Sequence, residues 1–336
     1  MNWSGRHGPL LIAEIGGNHE GSLEVAWRLT EQALAAGADV VKFQLYYADT
    51  LVSPVESPDR HRHFRRFELP LAEHLKLADA VLQAGAQYSA SVWDPASVEA
   101  LADRVAFFKV GSGDLTAVPL LRQLAATGKP ILLSTGLATL AEVQAALACI
   151  RTANPAYAAP GMLAVLQCTT SYPTPDAEVN LRVMDTLRAA TGVAVGYSHH
   201  VPDDFPLRVA AARGAEILEF HFTDQREGRS FRDHAISLTG PMLEQLTADL
   251  GRINTLLGSA EKAPTPGEVA QGHVQSFRRA IYSCRAMAAG ERLRAEDLVC
   301  LRPLTGVDAR DWDAVVGRAV LVDTPAFGAL QLGDAP

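Results

Sequence analysis

A (β/α)8 barrel followed by a small C-terminal module is the fold this sequence predicts, on three observations. Short apolar runs alternate with longer alanine- and leucine-rich segments through the first 257 residues. Such alternation pairs strands in parallel through right-handed helical crossovers. The runs number eight, and about 250 residues is the usual extent of a closed barrel. After Leu257 the rhythm stops. An open doubly wound sheet is the alternative reading of the alternation.

The predicted strands are Leu10–Ile15, Val40–Gln44, Gln87–Val92, Ala106–Val110, Pro130–Ser134, Leu163–Cys168, Val193–Tyr197 and Ile217–Phe222. Amphipathic helices are predicted over Leu23–Ala36, Leu71–Ala84, Thr116–Thr127, Thr139–Arg151 and Asn180–Ala190. In the first, Leu23, Ala26, Trp27, Thr30, Ala33 and Leu34 share one face at helical spacing. Ser22 suits its N-cap and Gly37 its stop. The first strand–helix turn, Gly16-Gly17-Asn18-His19-Glu20-Gly21, lacks the G-x-G-x-x-G spacing of a dinucleotide site.

One long connection, Tyr46 to Leu69, carries His61-Arg62-His63-Phe64-Arg65-Arg66. It reads either as a solvated surface loop or as a lid over the barrel mouth, since long loops in compact domains often carry function. Ala263-Pro264-Thr265-Pro266-Gly267 marks a linker. The expected organisation is therefore a barrel over 1–257, a linker over 258–275 and a tail module over 276–336. So short a module buries little core alone, so it is expected to pack on the barrel or on a partner subunit. The chain ends soon after Gly328-Ala329-Leu330, and an incomplete last strand is expected there.

With 48% hydrophobic and 20% charged residues the composition is that of a globular protein. A net charge of −8 argues against general nucleic-acid affinity, while leaving room for a local basic pocket. Cys149, Cys168, Cys284 and Cys300 form no C-x-x-C pair and read as buried or idle thiols of a reducing compartment. The first nine residues resemble neither a signal nor a transit peptide, and no apolar run approaches a membrane span. A cytoplasmic protein without membrane or nucleic-acid partners is expected.

In a parallel barrel, functional side chains sit just past the carboxyl ends of the strands. Those positions here are strongly polar. They hold Glu14, Asn18 and His19; Lys42 and Gln44; Lys109 with Gly111-Ser112-Gly113-Asp114; and Ser134-Thr135-Gly136. The last strands add Thr169, Thr170, Ser171 and Tyr172; Ser198, His199 and His200; and Glu219, His221 and Thr223. Lys42 and Gln44 share a strand face, and a lysine pointing into a barrel is costly unless an anion meets it. Two such lysines beside two small-residue turns suit a phosphate or carboxylate site. His200 and His221 are one protein ligand short of an ordinary zinc site, so polar strand-end residues are the other reading of that pair. A two-histidine metal beside a doubly anionic ligand can polarise a carbonyl, with water and substrate filling the remaining positions.

These motifs resemble the N-acetylneuraminate (sialic acid) synthase family, which includes legionaminic and pseudaminic acid synthases. The resemblance rests on Ile12-Ala13-Glu14-Ile15-Gly16-Gly17-Asn18-His19, Val41-Lys42-Phe43-Gln44, Lys109-Val110-Gly111-Ser112-Gly113-Asp114 and Ser134-Thr135-Gly136. It continues through Cys168-Thr169-Thr170-Ser171-Tyr172-Pro173-Thr174-Pro175, both histidine motifs and Asp233-His234-Ala235-Ile236-Ser237-Leu238. The tail, with Arg302-Pro303, looks like the antifreeze-like, β-clip type domain that ends these enzymes. The resemblance implies a metal-dependent condensation of phosphoenolpyruvate with an open-chain N-acetyl hexosamine, such as N-acetylmannosamine, giving a nine-carbon 2-keto sugar acid and phosphate. It places a divalent metal, Mn2+ first and Mg2+ or Co2+ as alternatives, on His200 and His221. Lys42, Lys109, Ser112, Ser134 and Ser198 would hold phosphoenolpyruvate. Gln44, Thr170, Tyr172, Asp233 and, from the tail of a domain-swapped homodimer partner, Arg302 would face the sugar. Glu14 would either move a proton or only orient the sugar.

Three departures from the family pattern stand out. His199 occupies a position where members often carry Asp, and it reads as a supporting or surface residue or as a third ligand. Gly228-Arg229-Ser230-Phe231-Arg232 replaces a Pro-Gly-Pro-like approach to the Asp-His motif. Thr170 stands where some members have Asn. They leave open a phosphoenolpyruvate–aldose enzyme for a different amino sugar, and a carbohydrate-binding protein without catalysis is the reading from another class.

Overall fold

The structure is a computed structural model that describes residues 1–229 and 231–333. A two-residue strand β1 (Ser4–Gly5) pairs antiparallel with β2 (Gly8–Glu14). Then follow α1 (Leu23–Ala35), β3 (Val40–Leu45), α2 (Ala48–Leu51), α3 (Pro58–Arg66), α4 (Leu71–Gln83) and β4 (Gln87–Val92). Next come α5 (Pro95–Leu101), β5 (Val105–Val110), α6 (Val118–Ala126), β6 (Ile131–Ser134), α7 (Leu140–Ala153) and β7 (Leu163–Cys168). The series ends with α8 (Val183–Thr191), β8 (Ala194–His199), α9 (Phe205–Ala212), β9 (Ile217–His221) and α10 (Gly240–Leu257). Strands β2 to β9 pair in parallel in sequence order, and β9 returns to β2, from Leu10↔Ile217 to Glu14↔His221. That closure makes the sheet a barrel and excludes the open doubly wound alternative.

Local chemistry explains the elements. Ser22 caps α1, its hydroxyl accepting from the Val25 N–H, and the helix buries Ala26, Leu29, Thr30 and Ala33. Thr139 and Glu142 close a reciprocal capping box at the start of α7. Strand alternation sorts the core into two layers. Outward residues such as Leu11, Val41, Phe108, Val165 and Leu218 pack under the helices. Inward residues Leu10, Ile12, Val40, Phe107, Leu132 and Ile217 fill the barrel floor. Trp3 joins that floor from the short hairpin, its ring 5.2 Å from that of Phe107. The floor is apolar and buried, so a charged layer above it meets low-dielectric surroundings.

The long connection between β3 and β4 carries the short helices α2 and α3; most of it is exposed, as a surface segment would be, and it is tied down by a few aromatic contacts. Tyr46 lies 5.2 Å from Phe64 and 5.9 Å from Trp93, while His63 contacts Phe67 at 4.8 Å. Phe67 and the stacked His63 ring both reach Phe231, at 5.0 and 5.9 Å.

The chain divides into two compact units, Met1–Gly258 and Ser259–Pro336. The second begins with α11 (Pro266–Ala270) and α12 (His273–Ser276), so the stretch expected as a linker carries helices, the first capped by Thr265 and Glu268. Strands β10 (Ala280–Ser283) and β11 (Leu298–Leu301) pair antiparallel, and α13 (Trp312–Val315) follows. Its small core holds Ile281, Met287, Leu293, Val315 and Val320. Among the described residues no helix is long and apolar enough to cross a membrane.

Candidate active site

One layer above the apolar floor, the same inward-facing alternation delivers charge. Glu14 ends β2, Lys42 sits on β3, Lys109 on β5, Ser134 on β6, Cys168 on β7, Ser198 on β8, and Glu219 and His221 on β9. All of them line one cavity at the carboxyl end of the barrel. Lys42 Nζ donates to Glu14 and lies 3.5 Å from Glu219, and Lys109 Nζ lies 3.0 Å from the other Glu219 oxygen. Gln44 Nε2 donates to Glu14 Oε1 at 2.8 Å. Two buried lysines and two buried glutamates thus form one network. Burial alone would raise the Glu219 pKa, but Lys109, Lys42 and the Ser198 hydroxyl overcome it and hold the group ionised. Burial alone would lower the Lys42 pKa, and Glu14 and Glu219 reverse that too.

Beside the lysines, three small groups converge. Ser112 Oγ accepts from the Gly136 N–H at 3.1 Å. A Cβ at position 136 would stand 2.3 Å from Thr170 Oγ1 and 2.8 Å from Ser112 Oγ, so glycine alone leaves both hydroxyls where they are. The buried hydroxyls of Ser134 and Thr170 have no hydrogen-bond partner among the described residues. Unpartnered donors beside two lysines are the chemistry of an anion cradle.

Across the cavity stand the imidazoles, with ring centroids of His200 and His221 5.5 Å apart. His200 Nδ1 faces the Thr169 carbonyl at 2.9 Å, an arrangement that leaves Nε2 as the free lone pair of the neutral ring. His221 Nδ1 is buried without a hydrogen-bond partner, 3.9 Å from Asp233 Oδ2. Two imidazoles with an unused nitrogen each fit a divalent metal that takes its other positions from water and substrate. Among the described residues no group of three His, Cys, Asp or Glu side chains is placed to hold an ion. The Tyr172 ring packs on His200 in a tilted arrangement, centroids 4.1 Å apart, and the Arg232 guanidinium lies 4.0 Å over Tyr172.

Several expectations change. His199 is fully buried, not a surface residue; on the outward phase of β8, it packs 5.8 Å from Tyr197. Both its ring nitrogens lack a hydrogen-bond partner among the described residues, and burial, then His200 and His221, lower its pKa to about 3. Asn18 is structural: Nδ2 donates to the Phe222 carbonyl and to Ser237 Oγ, each at 2.8 Å. His19 likewise turns away from the cavity, accepting from the Gly21 N–H. Cys168 is a buried thiol, as expected, and its Sγ lies 3.8 Å from His200 Nδ1 inside the site. Arg302 lies in the second unit, its guanidinium 5.2 Å over Phe277. Ser230 lies outside the described residues, as do 334–336. Sequence reasoning assigned no role to Glu219 or Arg232. The signal for Glu219 was its spacing of two from His221 on one strand face.

Comparison with known proteins agrees with this architecture. The model of the NeuB family matches residues 29–262, and that of the SAF domain matches residues 278–326. The chain is 32% identical to N,N'-diacetyllegionaminic acid synthase of Legionella pneumophila, over 94% of this chain and 91% of that one. It is 32% identical to human N-acetylneuraminate-9-phosphate synthase, over 79% and 76% of the two chains. The crystal structure of N-acetylneuraminic acid synthetase from Leptospira borgpetersenii superposes with a TM-score of 0.70 at 27% identity, covering 79% of this chain and 90% of that one. Barrel, polar strand ends and tail together make this chain a member of the NeuB family of enzymes, with a C-terminal SAF domain.

Proposed function

We propose that the protein condenses phosphoenolpyruvate with the aldehyde of an N-acetylated amino sugar, giving a nine-carbon 2-keto sugar acid and phosphate. One observation carries the reading: two buried lysines and unpartnered hydroxyls face a pair of imidazoles across a single cavity. Relatives are named for both phosphorylated and unphosphorylated products, so they leave the acceptor's far end open.

Lys42, Lys109, Ser112, Ser134 and Ser198 bind the phosphate and carboxylate of phosphoenolpyruvate. Thr170 joins them, because its hydroxyl crowds the same Gly136 position as Ser112; this moves it from the sugar side where it was expected. Gln44, Tyr172 and Asp233 orient the sugar, and Arg302 does so from a partner subunit in a domain-swapped homodimer. His200 and His221 hold a divalent metal, Mn2+ before Mg2+ or Co2+, which when bound supplies Lewis-acid polarisation of the aldehyde. The methylene carbon of phosphoenolpyruvate forms the new C–C bond with the aldehyde carbon as the carbonyl π bond breaks toward its oxygen. The neighbouring carbon, left cationic, takes up water; one water proton ends on the former aldehyde oxygen, making it a hydroxyl, and the tetrahedral centre then breaks its C–O bond, the remaining hydroxyl proton leaving with phosphate as the ketone forms. The lysines stabilise the phosphate through that sequence. Glu14, which accepts hydrogen bonds from Lys42 and Gln44, takes the role of accepting the proton of water.

The test is phosphate release from phosphoenolpyruvate by metal-stripped protein, with and without Mn2+, across a panel of amino sugars, with product masses. Mn2+-dependent release with a nine-carbon product supports the reading. Silence with every sugar in folded protein overturns it in favour of a sugar-binding role. His200→Ala and His221→Ala should each lose Mn2+ binding by equilibrium dialysis, and retained binding in both removes the metal assignment.

A further inference from the structure

The site mouth carries a cation that the condensation described above does not use. Arg232 is 59% exposed, and its Nε donates to Asp233 Oδ1 at 2.8 Å. Its guanidinium face lies on the Tyr172 ring. Stacking occupies the face of a guanidinium and leaves its edge free for in-plane hydrogen bonds. Asp233 takes the Nε side, and among the described residues the two terminal nitrogens meet no acceptor. A free two-pronged edge matches the paired oxygens of a phosphate or carboxylate.

The position of that edge says which part of a substrate it meets. Arg232 and His200 both approach the Tyr172 ring, at 4.0 and 4.1 Å. A sugar with its aldehyde at the imidazoles and its chain along Tyr172 would bring its far end to the arginine. The surroundings agree. Phe231, next in sequence, packs on Phe67 and His63, and the α3 region adds Arg60 over Phe64 at 5.8 Å and Arg66 over Phe67 at 5.7 Å. Among the described residues neither arginine has a carboxylate within salt-bridge distance. The rim is thus locally basic on a chain of net charge −8, and such a rim raises the capture rate of an anion.

We infer that the acceptor sugar carries a phosphate monoester at the end away from its aldehyde, and that Arg232 is the residue that selects it. This rests on the condensation reading above. The phosphate is a spectator: no bond to it forms or breaks.

The experiment measures kcat/KM on the full chain with Mn2+ and saturating phosphoenolpyruvate, for N-acetylmannosamine and for its 6-phosphate. The expected result is a preference for the phosphorylated sugar of about tenfold or more, the scale of one charge-assisted pair. R232A should collapse that ratio toward one, and R232K, which keeps the charge but not the fork, should restore only part of it. R60A/R66A should lower capture of the phosphorylated sugar at low salt and have little effect at high salt. The KM for phosphoenolpyruvate, which a general loosening of the site would also raise, stays the same in all variants. Equal use of the two sugars, preference for the neutral one, or a ratio unchanged in R232A overturns the inference and leaves the condensation intact. No phosphate release with any sugar strikes the condensation reading itself, and this inference with it.

Discussion

Gly136→Ala puts a single methyl group where the structure has no room. Its Cβ would stand 2.3 Å from Thr170 Oγ1 and 2.8 Å from Ser112 Oγ, and 3.2 Å from Ser112 Cβ. Both hydroxyls can turn away, so the fold survives, and position 136 has no left-handed φ for alanine to strain. The hydroxyls then no longer aim at the anion. A hydrogen bond to a charged ligand contributes ~1.5–3 kcal/mol, so losing two weakens binding by at least ~3 kcal/mol, or about a hundredfold. The assay is phosphate release at varied phosphoenolpyruvate, with direct binding by equilibrium dialysis and thermal unfolding as the control. Binding weakened about a hundredfold with an unchanged melting temperature is the expected result. Adding Thr170→Ala should weaken binding little further, because the methyl group has already turned that hydroxyl away. Phosphoenolpyruvate binding within about threefold of wild type in folded Gly136→Ala would refute the cradle, since less than ~1 kcal/mol cannot represent two lost contacts to an anion.

Three further outcomes follow from buried charge. His74 is fully buried, and burial lowers its pKa to about 3, with His19 nearby adding to the shift. A histidine depressed in the fold contributes stability that is complete above its unfolded value near 6.5 and is lost as pH falls toward 3, or ~2 kcal/mol between about pH 8 and pH 5. His74→Leu should remove that part of the difference between urea midpoints at the two pH values, and an unchanged difference would show that His74 is not the titrating group. Glu219→Gln strands Lys109 and weakens the hold on Lys42, so denaturation should show a loss of ~3–5 kcal/mol; wild-type stability would mean the lysines find other partners. Glu14→Gln should lower kcat with little change in sugar KM; near-normal kcat with a raised sugar KM would assign Glu14 to orienting the sugar alone.

The barrel was legible because its two periods are strong. Gln87–Val92 and Leu163–Cys168 coincide with the strands, and the other six predicted strands differ by a residue or two at an end. The strand through Gly196 runs on to His199, because Ser198 and His199 continue the ladder with Glu219 and Phe220. The polar strand ends were readable for the same reason, since alternation places Lys42 and Gln44 on one face. What could not be read depends on contacts distant in sequence. A two-residue strand has no period, so Trp3 under the floor left no trace. Helix α3 buries none of its residues and therefore shows no apolar stripe. The direction of His199 followed from a strand end that ran two residues further than expected. The pairing of Glu219 with both lysines needs the closure of β9 on β2, a register no local pattern carries.

The same closure bears on how ligands enter. Lys42 and Lys109 face Glu14 and Glu219 one for one, so the polar layer formally carries no net charge before anything binds. That balance lets two lysines stay charged over an apolar floor. It also means that a multiply charged anion entering the cavity meets two carboxylates as well as two lysines. The hydroxyl cradle adds donors but no charge. A divalent cation at His200 and His221 would restore the balance, so phosphoenolpyruvate and Mn2+ should each tighten the other's binding. Coupling between two sites is reciprocal, so the two affinities must change by one factor, typically about 5–150-fold. Calorimetric titration of each ligand with and without the other measures that factor directly, without any turnover. An affinity for each ligand that the other leaves unchanged would mean that the lysines and the cradle hold the anion unaided, and the two-histidine site would then serve only the acceptor.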